Sequence, residues 1–240
     1  MPSGPTAVEL TIGTTGGSMA RSAFACQAPG TLLPHAGVVA KLYFRYSAMN
    51  AGKSTALLQV AHNYEELGRE VAIFTSHLDN RFGIGQITSR LGIQRRAATF
   101  DTKFDFGEAF ESRSVDEFAC ILVDEAQFLT REQVRQLHHI AHVGEIPVIC
   151  YGIRSDFLGE PFPGAAYLLT LADSLEELKT VCPCGRKATM NPRVDACGNR
   201  ITLGEQIGIE GDHQYISLCG SCFYADQRVG IKPKSVRQTA

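Results

Sequence analysis

From Val38 onward, short apolar segments alternate with stretches whose apolar residues recur at helical spacing, and this alternation restricts the possible folds most strongly. Buried strands are predicted for "VVAKLYFRY", "EVAIFT", "AATFD", "CILVDEA" and "IPVICYG". Helices are predicted for "KSTALLQVAHNYEEL", which Gly68 ends, for "IGQITSRLG" and for "REQVRQLHHIAHV". Strands that alternate with helices form parallel sheets, so we expect an α/β fold with "CILVDEA" at its centre.

The chain divides by composition into four segments. Residues 1–38 are rich in Gly, Ser, Thr, Ala and Pro and lack periodicity, so we expect a disordered extension, with a transit peptide left open. Residues 39–181 carry the strand and helix pattern and predict the main domain. Residues 182–228, where the composition shifts toward Cys, Gly and Asn, predict a small second domain, and residues 229–240 a flexible tail. A chain of 240 residues, 44% hydrophobic, can bury one sizeable core and such a module.

The charge balance argues against a polyanionic partner. The chain has 23 basic and 25 acidic residues with no basic run, so we expect no nucleic-acid binding. No apolar run reaches the roughly 18 residues that a membrane span needs. We therefore expect a cytoplasmic protein without a membrane partner.

A phosphate-binding loop is predicted between the first strand and the first helix. Such a loop aims backbone N–H groups and a helix N-terminus at phosphate oxygens, and adds a lysine and a hydroxyl for magnesium. Lys53 supplies the charge and Ser54 the hydroxyl, whereas Ser47 stands where the loop usually opens with glycine. Serine is compatible with that position if its φ is negative. The alternative is an ordinary turn. The predicted phosphate contacts are Ser47, Ala48, Met49, Asn50, Ala51, Gly52, Lys53, Ser54 and Thr55.

Two acidic residues end the predicted central strand. An Asp at this position, Asp124, is suited to hold a magnesium shell together with Ser54. Glu125 points to the opposite side of the strand, so it could activate water, as in an ATPase, or a substrate hydroxyl, as in a kinase. The alternative is that the pair only caps the next helix. We also place Gln127 among the ATP contacts, together with Asp124.

Four of the eight cysteines form two close pairs, and these predict a zinc site. Cys182 and Cys184 precede Cys219 and Cys222 by 34 intervening residues. Four thiolates close a tetrahedral structural zinc site with no open position. Cys197 is an alternative ligand, and Cys26, Cys120 and Cys150 fit tail or buried strand positions. The long segment between the pairs is itself a candidate functional loop.

The motifs "YSAMNAGKST", "DNRFG", "VDEAQF", "CYGIRSDFLGEPF", "CPCGRKA" and "YISLCGSC" occur in this order. This combination closely resembles thymidine kinases of the zinc-containing, tetrameric type, especially their bacterial branch, over residues 39 to 228. The resemblance implies a RecA-like P-loop domain, in which helices flank a parallel sheet, and a small C-terminal zinc-binding lasso domain. It also implies a homotetramer, ATP with Mg²⁺, structural Zn²⁺, and thymidine as the phosphate acceptor, with deoxyuridine as a second substrate.

The same resemblance implies roles for single residues. Glu125 matches the general base that deprotonates the thymidine 5′-hydroxyl, and the segment after Cys184 matches a lasso-like lid that reads the base through its backbone. Asp79 and Arg81 match active-site positions near the phosphates. The expected aromatic contacts of thymine are Phe128, Phe157 and Tyr215.

Two readings outside the kinase class stay open from the residues alone. A zinc-ribbon ATPase acting on nucleic acid would use Glu125 to activate water and would need a basic groove. A non-catalytic nucleotide-binding module would keep the phosphate loop without needing Glu125 or the lid. Thymidine-dependent phosphate transfer separates both from a kinase.

Overall fold

A computed structural model describes residues 40–111, 113, 117–207 and 214–225. The predicted extension, residues 1–38, and the predicted tail, residues 229–240, lie outside the described residues. The strands are β1 (Leu42–Tyr46), β2 (Val71–Ser76), β3 (Gln86–Thr88), β4 (Gln94–Arg96), β5 (Ala98–Phe100), β6 (Cys120–Val123), β7 (Val148–Gly152), β8 (Ser174–Glu177), β9 (Arg193–Val194), β10 (Arg200–Ile201) and β11 (Gln214–Tyr215). The α-helices are α1 (Lys53–Glu66), α2 (Phe106–Phe110), α3 (Arg131–Val143), α4 (Pro163–Leu171) and α5 (Gly220–Tyr224), and Ala126–Phe128 forms a 3-10 helix.

The main sheet has six strands in the order β5-β2-β6-β7-β1-β8, and every neighbouring pair in it is parallel. Its central strands alternate their side chains between two apolar clusters. In β6, Ile121 and Val123 join the cluster that contains residues of α2, α3 and α4, whereas Cys120 and Leu122 join the cluster that contains residues of α1. Helices therefore cover both faces of the sheet, which explains why β6 is apolar along its whole length. The predicted α/β fold with a parallel sheet is confirmed.

Local signals fix the ends of the two longest helices. Gly68 has a φ of 70°, and its N–H donates to Glu65 O at 2.8 Å, while the N–H of Arg69 reaches Tyr64 O at 3.0 Å. This pair of bonds is a Schellman motif, which requires the left-handed backbone that glycine adopts most easily. At the start of α3, Thr130 and Gln133 form a reciprocal capping box.

The prediction of a helix at "IGQITSRLG" is wrong. This segment contains β3, which pairs antiparallel with β4 through Ile87 and Arg95. Ile87 is buried against the cluster on the α1 side, but Ile84 and Leu91, which completed the apparent helical spacing, are 63% and 75% exposed. Gly85, with a φ of 70°, breaks the helical backbone inside the segment. The edge strand β8 and the helix α4 were not predicted.

The C-terminal part carries its own small sheet, in which β9 lies between β10 and β11. A third apolar cluster contains Cys182, Ala188, Leu218 and Cys219, together with Ala48 of the predicted phosphate loop. None of the helices in the described ranges combines the length and the apolarity that crossing a membrane requires.

Candidate active site

The predicted site residues follow the carboxyl ends of neighbouring parallel strands. The predicted phosphate loop follows β1, Asp79 and Arg81 follow β2, and Asp124 and Glu125 follow β6. Strands β2, β6, β7 and β1 are consecutive in the sheet, so these loops meet along one edge. Ligands of open α/β sheets bind along this kind of edge.

The loop between β1 and α1 has the backbone of a phosphate-binding turn. Gly52 caps α1 with a φ of 82°. Among the described non-glycine residues, a positive φ occurs at Asn50, Glu125 and Glu145, and Ser47 is not one of them. The φ of Ser47 is therefore not positive, which is the condition under which serine is compatible with this position. Lys53 donates from Nζ to Ser47 Oγ at 3.2 Å, so its ammonium group folds back over the loop. The first N–H groups of α1 have no partner within the helix and point toward the loop.

Ser54 and Asp124 form the oxygen pair expected for a magnesium shell. Ser54 donates from Oγ to Asp124 Oδ2 at 2.8 Å, and the N–H of Glu125 donates to Asp124 Oδ1 at 3.0 Å. The two side chains lie 70 positions apart in the sequence, and the parallel sheet brings them together. Hydroxyl and carboxylate oxygens are the ligands that Mg²⁺ prefers, so this pair fits the ion.

Burial shifts the ionisation of the charged groups in this region. It raises the pKa of Asp124, and the neighbouring carboxylate of Glu125 raises it further. Burial also lowers the pKa of Lys53, although Glu125 and Asp124 counteract this shift. Asp124 is buried and Lys53 is half-buried, at a position where a bound cation and phosphate would supply opposite charge. A cation beside Asp124 would therefore favour its ionised form.

Glu125 is held by two side chains, one at each carboxylate oxygen. Arg81 donates from Nη2 to Oε1 at 2.6 Å, and Gln127 donates from Nε2 to Oε2 at 2.5 Å. Arg81 also binds Asp79 through Nε and Nη2, at 2.7 and 2.9 Å, so the Asp-x-Arg segment orients the carboxylate from the β2 side. Glu125 itself has a φ of 50° and a ψ of 39°. This left-handed backbone is costly for a glutamate and is frequent at functional sites.

Gln127 connects Glu125 to the end of β7. The sequence prediction places Gln127 among the ATP contacts, whereas its amide here is used within the protein: Nε2 binds Glu125, and Oε1 accepts the N–H of Ile153 at 3.2 Å. Gly152 makes room for this arrangement, since a Cβ there would lie 2.9 Å from Gln127 Oε1. The chain between β6 and the 3-10 helix is thus braced against β7.

The structure joins two of the three predicted thymine contacts through an arginine that the sequence reasoning missed. The guanidinium carbon of Arg193 lies 4.0 Å from the ring centre of Phe157 and 5.4 Å from that of Tyr215. Arg193 also donates from Nε to the Tyr215 hydroxyl at 3.1 Å. Arg193 and Tyr215 are cross-strand partners in β9 and β11, a pairing that no sequence pattern revealed. Phe128 packs instead edge-on against Phe162.

A second contact joins the segment between the cysteine pairs to the main domain. Gln206 donates from Nε2 to Oδ2 of Asp156 at 3.2 Å, and Asp156 is the residue before Phe157. Asp156 is itself fixed, because its Oδ1 accepts the N–H groups of Leu158 and Glu160 at 2.9 Å each. The described part of this segment therefore lies on the loop that follows β7.

The four paired cysteines come together as the sequence predicts. Their sulfur atoms all lie within 4.8 Å of one another, with Cys184 Sγ 3.4 Å from Cys182 Sγ and 3.6 Å from Cys219 Sγ. Sulfurs bound about 2.3 Å from a tetrahedral zinc ion lie about 3.8 Å apart, so the cluster fits this metal. The N–H of Cys222 donates to Cys219 Sγ and lowers the pKa of that thiol, which favours the ligating thiolate. Cys197 is exposed and is not part of this cluster.

The structure combines a parallel sheet, a glycine-lysine-serine turn before a helix, and an acidic strand end beside that turn. These features are consistent with a nucleotide-binding protein of the P-loop class. The sequence model of the family described as thymidine kinase matches residues 40–223. A thymidine kinase of Chromobacterium violaceum is 56% identical over 188 residues, which cover 78% of this chain and 100% of that protein. Thymidine kinases of Albidiferax ferrireducens and Idiomarina loihiensis are 54% and 55% identical; the matches cover 78% and 75% of this chain and 94% of each relative. The chain belongs to the thymidine kinase family.

Proposed function

We propose that this protein transfers the γ-phosphoryl group of ATP to the 5′-hydroxyl of thymidine. The observation that carries the proposal is the Glu125 carboxylate, oriented by Arg81 and Gln127 at the strand end that also carries Asp124. A carboxylate at this position beside a phosphate loop can accept the proton of an attacking hydroxyl group. The family membership supports thymidine as the source of that hydroxyl.

The phosphate end of ATP would lie on the loop from Ser47 to Thr55. The N–H groups at the start of α1 would bind the phosphate oxygens, and Lys53 would add positive charge. Ser54 and Asp124 would hold Mg²⁺, which, when bound, neutralises charge on the transferring group. Lys53 would leave Ser47 Oγ for the phosphates, a short movement within the same loop. This arrangement catalyses by position and electrostatics.

Glu125 would accept the proton of the 5′-hydroxyl as its oxygen attacks phosphorus. Its two oxygens are already oriented by Arg81 and Gln127, so little reorganisation is needed when the substrate binds. The strained backbone of Glu125 fixes the direction of the side chain.

The segment between the cysteine pairs would cover the nucleoside as a lid. Phe157 and Tyr215, joined through Arg193, would provide flat surfaces for thymine, with Phe128 as a further aromatic contact. Zn²⁺ bound by the four cysteines would fix both ends of this lid. We extend the proposal to deoxyuridine as a second substrate, to residues 182–228 as the lasso domain and to a homotetrameric, cytoplasmic enzyme. The described free cysteines fit a reducing compartment.

The test is Glu125→Gln, assayed with labelled ATP and Mg²⁺ against thymidine, deoxycytidine, deoxyadenosine and deoxyguanosine, with a control that lacks nucleoside. We expect wild-type label on thymidine, and a loss of kcat in the variant of about 10²- to 10⁴-fold with binding of both substrates retained. The matched control is Glu132→Gln, an exposed glutamate in the first turn of α3, which should keep wild-type kcat.

Two results would contradict the proposal. Unchanged turnover of Glu125→Gln would remove Glu125 from the base role. Equal release of free phosphate with and without nucleoside would mean that Glu125 activates water, and the ATPase reading would replace the kinase.

A further inference from the structure

The backbone of one phosphate-loop residue, Met49, is held at both its N–H and its carbonyl oxygen by the C-terminal part of the chain. The N–H of Met49 donates to Asn191 Oδ1 at 2.6 Å. Ser217 donates from Oγ to the carbonyl oxygen of the same residue, also at 2.6 Å. Asn191 is only 2% exposed, so its amide is committed to this contact and not to solvent. We call Asn191 and Ser217 the loop clamp.

The loop clamp is fixed by the chain beside the cysteine cluster. Met190 and Leu218 exchange two backbone hydrogen bonds of 2.9 Å, and their sequence neighbours are Asn191 and Ser217. Leu218 directly precedes Cys219, so a metal bound to that cysteine would also fix the bridge. The two clamp side chains are thus held as a pair by an antiparallel bridge that lies next to the proposed zinc site.

Apolar packing joins the same two parts. Ala48, the residue before Met49, is 4% exposed and belongs to the cluster that contains Cys182, Cys219 and Leu218. The phosphate loop therefore rests on the cysteine-bearing module through packing as well as hydrogen bonds. These contacts are independent of the contacts that bring Arg193 and Gln206 onto the loop after β7.

The loop has a conformational reason to need this support. Asn50, directly after Met49, has a φ of 64°, a left-handed backbone that asparagine adopts more readily than other residues with a Cβ but that is still uncommon. Such a conformation persists where the surroundings fix it. The clamp fixes the peptide just before Asn50, and so orders the turn whose N–H groups would receive phosphate. An ordered loop binds with less loss of conformational entropy.

We propose that Asn191 and Ser217 are positioning residues for the phosphate loop, and that the four-cysteine module thereby sets the affinity of this protein for the phosphates of a nucleotide. The proposal deepens the function proposed above and rests on it only for the assignment of the loop as the ATP site. It makes zinc a determinant of nucleotide binding in addition to nucleoside binding. The clamp residues would not contact the reacting atoms.

The test measures the Kd of ADP with Mg²⁺ by calorimetry, without nucleoside, on the full chain carrying Ser217→Ala or Asn191→Leu. Each variant removes one hydrogen bond to Met49, so we expect ADP to bind about three- to tenfold more weakly. Ser217→Thr keeps a hydroxyl at the same position and should retain most of the affinity. Ser221→Ala is the matched control, because the Ser221 hydroxyl accepts from Arg186 within the same module, and this variant should bind ADP as the wild type does.

Kinetics and metal removal give two further readouts. The clamp variants should raise the KM for ATP with little change in kcat, which a catalytic role would not produce. Chelation of the full chain should weaken ADP binding at least as much as Ser217→Ala does, and Ser217→Ala should add little once the metal is gone. Wild-type ADP affinity in both clamp variants would overturn the proposal, as would unchanged affinity after chelation.

The two proposals can fail separately. If the clamp variants weaken ADP binding while no nucleoside accepts phosphate, the proposed function is wrong and the clamp stands. If thymidine is phosphorylated and both variants bind ADP as the wild type does, the clamp is wrong and the function stands. Should Asn191→Leu fail to fold, Ser217→Ala, which removes a single half-buried hydroxyl, decides the question.

Discussion

Replacing Gly164 by alanine should destabilise the protein, although alanine is the better helix former. Gly164 lies in the first turn of α4, where a Cβ would meet three backbone carbonyl oxygens of the 3-10 helix region: those of Leu129 at 2.6 Å, Ala126 at 2.7 Å and Gln127 at 2.8 Å. Cβ atoms essentially never approach other atoms this closely, and backbone oxygens cannot rotate away. The two elements must therefore separate.

The magnitude follows from two opposing effects. Overpacking typically costs about 1–3 kcal/mol, and three rigid contacts place this site near the upper end. Helix propensity returns up to about 1 kcal/mol. A net loss of about 2 kcal/mol in the free energy of unfolding corresponds to a fall in Tm of about 4–8 °C for a domain of this size. Gln127 lies in the 3-10 helix that would be displaced, and it binds Glu125, so kcat should also fall by about ten- to a hundredfold.

The assay is thermal unfolding of Gly164→Ala beside Gly220→Ala. Gly220 begins α5, and a Cβ there would meet nothing within 4 Å, so this control should keep its Tm or gain slightly. A Tm for Gly164→Ala equal to or above that of the wild type would show that α4 and the 3-10 helix yield easily. The reasoning that Gly164 keeps Gln127, and through it Glu125, in position would then be refuted.

Two further predictions concern charge and thiol reactivity. Arg81→Ala should lower kcat about tenfold or more, because it releases Glu125. It should change Tm by at most a few degrees, because the Arg81 side chain is 56% exposed and exposed ion pairs contribute about 0–1 kcal/mol. An equal loss of kcat in Arg113→Ala, whose ion pair with Glu117 lies elsewhere, would contradict this role of Arg81. In a Cys26→Ser background with zinc bound, a thiol reagent should label the exposed Cys197 rapidly. Cys120 should react only on unfolding, because burial raises its pKa to about 12. Mass spectrometry of the labelled peptides checks both outcomes.

The sequence predicted those parts of the fold in which local pattern and tertiary burial agree. Strand β6 is apolar at every position because both faces of the sheet are covered, and α3 shows its capping box in the sequence "TREQ". The hairpin of β3 and β4 could not be found this way. Three-residue strands are too short to display alternation, and Ile84 and Leu91 imitate helical spacing although both are exposed.

The residues of the candidate site fall into the same two groups: those that a local sequence pattern predicts, and those that only tertiary contacts bring into place. The sequence predicted that Ser54 and Asp124 share one site and that the four paired cysteines share another, because the chemistry of each requires fixed residue types at recognisable spacings, and the structure brings each set together. Arg193, Asn191 and Ser217 were missed, because the contacts of each exist only in the folded chain. Gln127 was predicted as an ATP contact, whereas its two hydrogen bonds within the protein depend on where β7 ends, and the sequence does not show that position.

The position of Arg193 between two rings has a kinetic consequence. One ring belongs to the loop after β7 and the other to β11, while Arg193 sits on β9 beside Tyr215. Lifting β9 and β11 away from that loop would separate the guanidinium from Phe157, whereas its contact with Tyr215 would move with the strands. Loss of the Phe157 contact would therefore oppose the first part of the movement, and the rate of opening would limit how fast a molecule held beneath the segment can leave.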